Sequence, residues 1–149
     1  MWSLSRFFRK RYSTKYPERF VQNMDYIEID HPKYKYEMIG TRVVWTNVKG
    51  YAINHPFFSL TKRGRLAMRV GYRWDGPSGP TVDTPSFMRS SGVHDVLFQC
   101  LREGLFGELT EEEFQDLFEL SNKELERISI QDGMIWPRSY VVREAVQQL

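Results

Sequence analysis

Between Asp25 and Trp74, apolar and polar positions change places in short runs: "YIEID", "YKYEMIG", "RVVWTNV", "FFSLTKRG" and "RLAMRVGYRW". Tyr26, Glu28 and Asp30 alternate with Ile27 and Ile29, and Tyr34 and Tyr36 alternate with Lys35 and Glu37. A period of two is that of a strand, whose successive side chains leave opposite faces. Gly40, "NVKG", "NHP" and "KRG" punctuate the runs, so the segment reads as an antiparallel β-meander. His31 and His55 each precede a proline in these connections and read as turn-stabilising or solvated loop residues.

The period then changes. "DTPSF" is a helix start: Asp83 or Thr84 can accept from first-turn amides, and Pro85 suits the first helical position. The helix is expected to reach about Glu103 and stop near Gly104. At ~100° per residue, Val93, Val96, Leu97, Cys100 and Leu101 share one face, His94 flanks it, and Asp95 points nearly the other way. A second helix is signalled by "LTEEEFQDLFELSNKELERI", where Thr110 and Glu113 have capping-box spacing. Its apolar stripe is Phe114, Leu117, Phe118, Ser121 and Leu125. "PRSYVVREAVQQL" predicts a terminal helix or helical turn. At the other end, Arg6, Arg9, Lys10, Arg11 and Lys15 interleave with Trp2, Leu4, Phe7, Phe8 and Tyr12, the pattern of a short basic amphipathic helix ended by Pro17.

Strands first and helices second predict an α+β fold: an N-terminal antiparallel β-meander followed by a helical C-terminal half packed on the sheet. The 149 residues, 41% hydrophobic, suffice for one core, so residues 1–149 are read as a single domain. Within it, 1–16 is the basic arm, 24–75 the β-rich part and 76–149 the loop and helical part. No apolar run approaches the roughly 20 residues of a membrane span, and the N-terminus lacks the apolar core of a secretory signal, which leads to the expectation of a cytoplasmic protein. Cys100 is the sole cysteine, and no zinc-finger spacing exists.

A formal charge of +2 conceals an uneven distribution. Residues 1–75 carry 15 Lys and Arg against 6 Asp and Glu, whereas 76–149 carry 6 against 13. Part of this asymmetry can be satisfied inside the fold; any remainder at Arg6, Arg9, Lys10 and Arg11 would suit an anionic partner, nucleic acid or a lipid surface.

Candidate chemistry concentrates in Asp75 and Ser78 of "WDGPS", the adjacent His94 and Asp95, and Asp116 of "EEFQDLF". Asp75, His94, Asp95 and Asp116 together could hold a divalent metal ion that activates water for hydrolysis of a phosphoester, amide or glycan. Without metal, His94 is the candidate base, oriented by Asp75 or Asp95, with Ser78 or water as nucleophile. A purely structural account uses the same letters. Asp75 before Gly76 forms an Asx-type turn, Ser78 satisfies loop amides, His94 bonds a buried carbonyl, and Asp116 ties the second helix to His94 or Arg89. Ser78 in "GPSGP" is no nucleophile elbow, "GYRWDGPSGP" is no phosphate loop, and Cys100 on an apolar face reads as an inert thiol.

The order of these motifs resembles the domain of unknown function 1353 family of bacteriophages and bacterial genomes. The matching elements are Gly71, Asp75, Gly76, Ser78 and Pro80, then His94, Asp95, Leu97 and Phe98, then Asp116 and Phe118, over roughly residues 57–145. The chain departs from the family pattern at Gln115, commonly alanine, and at Phe98, commonly tyrosine. The resemblance implies a phage or prophage origin and brings no established activity. It leads to the expectation of a phage-type accessory protein whose Asp/Ser/His/Asp centre binds or is structural, with a metal-assisted hydrolase and an arm-mediated binder as alternatives.

Overall fold

A computed structural model of the chain describes residues 10–11, 24–76 and 85–134. Among the described residues, eight strands precede two helices: β1 (Lys10–Arg11), β2 (Asp25–Glu28), β3 (Tyr36–Met38), β4 (Arg42–Trp45), β5 (Ile53–His55), β6 (Phe58–Leu60), β7 (Arg65–Met68), β8 (Arg73–Trp74), α1 (Pro85–Arg102) and α2 (Glu111–Gln131). The fold is α+β, as the patterning predicts.

The strands do not form one meander. They divide into two antiparallel four-stranded sheets, ordered β1-β2-β3-β8 and β4-β7-β6-β5. The division falls inside "RLAMRVGYRW", which reads as a single strand and is two. Tyr72 N–H donates to the Arg69 carbonyl at 3.0 Å, closing a turn, and Gly71 sits there at φ +92°, a conformation costly for any residue with a Cβ. The chain therefore leaves β7 in one sheet and enters β8 in the other. The "NHP" turn is likewise partly strand, since Ile53, Asn54 and His55 pair with Leu60, Ser59 and Phe58. Lys10 and Arg11 are not helical: they pair antiparallel with Tyr26 and Asp25. Tyr26 and Ile27 are both buried, so strict alternation does not sort the faces of β2.

Trp74, Tyr26, Tyr36 and Tyr72 form an aromatic cluster in the core, with Tyr26 edge-on to Tyr36 at 5.4 Å and to Trp74 at 5.8 Å. α1 lays Val93, Val96, Leu97 and Cys100 into the same core. It can approach closely because Gly92 has no side chain: a Cβ there would stand 2.9 Å from Met68 Sδ of β7 and 3.8 Å from Trp74 Cε2 of β8. The helix ends as its sequence requires. Gly104 takes φ +68°, its N–H donates to the Leu101 carbonyl, and Leu105 N–H donates to that of Cys100, the paired bonds of a Schellman motif.

α2 begins with the predicted capping box between Thr110 and Glu113. Leu117, Ser121 and Leu125 are buried as read, whereas Phe114 is exposed. A polar seam joins the helices. Arg89 of α1 binds Asp132 twice, at 2.9 and 2.8 Å, and Gln131 at 2.7 Å; Ser129 donates to Ser90 at 2.6 Å. The buried Glu124 carboxylate accepts from Asn47 and Arg127, fastening α2 to the loop after β4. No helix among the described residues is long and apolar enough to cross a membrane. The terminal helix expected after Pro137 lies outside the described residues.

Candidate functional site

The predicted polar centre splits in two. His94 faces the α1–α2 seam, where its Nε2 lies 2.8 Å from Asn122 Oδ1. The bond ties the imidazole to the side-chain amide of α2. The ring packs 4.0 Å from the Phe98 ring centroid and is 6% exposed. Burial lowers its pKa to about 4 despite the Asn122 bond, which acts in the opposite sense, so His94 is neutral at ordinary pH. The partner of this histidine is a side-chain amide on α2, not the backbone carbonyl or the Asp116 carboxylate that its sequence suggests.

Asp95, one residue on, projects from another face of the helix and meets Asp75 at the end of β8. Its carboxylate accepts the Asp75 backbone N–H. Burial, then the Asp75 carboxylate, push the Asp95 pKa up to about 7, with Arg102 opposing the shift. Asp75 itself is exposed. Consecutive residues of a helix point about 100° apart, and this separates core duty at His94 from cleft duty at Asp95.

Asp75 and Asp95 line an open cleft of about 490 Å³. Lys33 and Tyr34, from the loop after β2, form one wall; Gln99, Arg102 and Glu103, from the last turn of α1 and its end, form another. Tyr72 and Arg73 make the floor between them. Burial and then Asp95 raise the Tyr72 pKa well above that of a free phenol, so its hydroxyl remains protonated. Arg73 is held by Glu37 at 2.7 Å. The cleft thus presents both charge signs and two phenols, suited to a polar ligand and poorly suited to an apolar one.

Asp116 stands exposed on the first turns of α2 and does not join the cleft. The four-ligand metal centre of Asp75, His94, Asp95 and Asp116 is therefore not assembled: one ligand is bonded into the helix seam, one stands in solvent on α2, and only two meet. No group of three or more His, Cys, Asp or Glu among the described residues could hold a metal ion. Ser78, Arg6 and Arg9 lie outside the described residues, as do the side chains of Lys10 and Arg11. Cys100 is buried and its thiol pKa is pushed up to about 12, first by burial and then by Glu103, which fits an inert thiol. His31 and His55 serve turns, their Nδ1 atoms accepting from Lys33 and Tyr34 and from Phe57 respectively.

Sequence reasoning missed Lys33, Tyr34, Tyr72, Arg73, Gln99 and Arg102, whose common wall exists only once the strand loop, β8 and α1 are brought together. It also missed Asn122, although a polar residue beside Ser121 in an apolar stripe is a signal that something polar lies opposite. Comparison of the chain with protein-family models, curated proteins and solved structures finds no match in any of the three.

Proposed function

We propose that this chain is a bacteriophage-type accessory protein of the domain of unknown function 1353 family, acting in the host cytoplasm, and that it binds a polar ligand in the cleft of Asp75 and Asp95. The observation that carries the ligand site is that Asp75 from a strand end and Asp95 from a helix come together on an open polar cleft. Asp95 is costly to ionise, first through burial and then through the nearby Asp75, and ionisable groups perturbed in this way on an open cleft are concentrated at functional sites. The family and its phage setting rest on the ordered motif from Gly71 to Phe118 alone.

Screening a library of small polar fragments by ligand-observed NMR tests the site. Binding by the full chain that is lost in Asp75→Asn/Asp95→Asn and retained in His94→Gln is the expected outcome. Binding unaffected by the cleft substitutions, or no binding, overturns the assignment.

The Asp95 pKa of about 7 favours a second reading, hydrolysis without metal. Asp95 would supply the proton to the leaving group, and the exposed Asp75 carboxylate would take one from the attacking water. Hydrolysis by this route would titrate with Asp95 near neutrality and vanish in Asp95→Asn. Turnover of chromogenic ester, phosphoester and glycoside substrates that persists in that variant rules it out.

A further inference from the structure

A second cavity of about 320 Å³ adjoins the cleft, and the two share Tyr34, Tyr72, Arg73 and Gln99 as common wall. They form one groove running from the Asp75–Asp95 pair to the β5–β6 hairpin. At its far end stands Phe57, 46% exposed although its neighbour Phe58 is fully buried.

The backbone that carries this ring is held on both sides. Phe57 N–H donates to His55 Nδ1 at 3.1 Å, and its carbonyl accepts from Arg69 N–H at 2.9 Å. Its edge lies on Gly71, where a Cβ would come within 3.0 Å of the ring. The hairpin beneath is braced by the Arg69 guanidinium, which donates to the His55 carbonyl and to Asn54 Oδ1 at 2.7 and 3.0 Å. The backbone that presents the exposed ring is therefore already ordered, and a ligand need not order it.

A sugar ring presents C–H bonds on its faces and hydroxyls round its rim. It is recognised by an aromatic face flanked by planar groups that donate or accept at two points. The groove supplies that combination: the exposed ring of Phe57, with the Glu37–Arg73 ion pair and Gln99 beside it and Asp75 in the adjoining cleft.

We propose that the groove is a carbohydrate site in which one sugar stacks on Phe57 and the next lies over Asp75 and Asp95. The proposal rests on the reading of the cleft as a ligand site and names its ligand class.

The test is a titration of the isotopically labelled full chain with cellohexaose, chitohexaose and hexagalacturonate, the corresponding monosaccharides, and a Gly-Ser hexapeptide. The expected result is saturable displacement of the Gly71 and Gln99 amide signals by at least one hexasaccharide, with weaker binding of its monosaccharide. Phe57→Ala should weaken that binding roughly 3- to 10-fold and Phe57→Tyr should not. Gln99→Ala is the second variant should Phe57→Ala melt early. No response to any sugar, or a sugar response indifferent to both substitutions, overturns the carbohydrate assignment. If the fragments of the preceding screen still bind at Asp95, the cleft survives as a ligand site without it. Displacement by the peptide alone overturns it in favour of a peptide groove, and failure of sugars, peptide and fragments together removes both readings.

Discussion

His94 and Asp95 are neighbours in sequence whose protons respond to folding in opposite senses. The His94 pKa falls from 6.5 to about 4, so between these values the unfolded chain binds the extra proton and stability rises with pH. For Asp95 the pKa rises from 3.8 to about 7; across that window the folded chain keeps a proton that the unfolded chain has lost, and stability falls as pH rises. Asp132, raised by burial, adds to the fall. The Asp95 and His94 slopes therefore oppose one another between about pH 4 and 6.5. Urea unfolding at a series of pH values should show a steeper gain of stability with pH in Asp95→Asn than in the parent chain, by on the order of 2–4 kcal/mol over the window. In His94→Gln the gain should shrink or reverse. Parallel profiles for the parent and Asp95→Asn would mean that the Asp95 carboxyl is not buried beside Asp75.

The two helices are joined by charge as well as by packing, and this join is the most vulnerable one between elements. Arg89 and Asp132 expose only 4% and 1% of their side chains, so each depends on the other for what water would otherwise supply. Asp132→Ala strands a buried guanidinium and should cost about 3–5 kcal/mol in chemical denaturation. Replacing both partners, as Arg89→Met/Asp132→Leu, should recover much of that loss, because neither variant charge is then left unpaired. A double variant as unstable as Asp132→Ala alone would place the stabilisation in Gln131 and the helix end. The His94–Asn122 contact belongs to the same seam, which gives His94 a sufficient reason to be present without a reaction.

At the scale of the whole molecule, α1 touches both sheets, and at Gly92 it lies close to Met68 of one and Trp74 of the other. The consequences of filling that point can be graded. Gly92→Ala gains about 1 kcal/mol of helix propensity and asks a flexible methionine to move, so it should be near neutral. Gly92→Val adds branched bulk between Met68 and Trp74, both buried, and should lower stability by about 2–4 kcal/mol in thermal or urea unfolding. Equal tolerance of both would show that α1 sits further from the sheets than Gly92 implies.

Local chemistry sufficed wherever one stretch of chain determines its own shape. The fold class, the Thr110–Glu113 box, the start of α1 at Pro85, its stop before Gly104 and its buried face were all legible, because caps, prolines, glycines and a 3.6-residue period act within a few residues. Asp75 and Asp95 were legible as candidates by the same local reading. Which partners they would meet was not, since distant pairing carries no local signature. Only the tertiary structure split one apparent strand at Gly71 between two sheets, turned His94 into a helix seam toward Asn122, left Asp116 in solvent, and set Asp95 against Asp75. The strand split follows from the turn at Gly71 and the place of Asp116 from the face of α2 it occupies, while packing α1 against α2 and the sheets turned the neighbours His94 and Asp95 toward different surroundings.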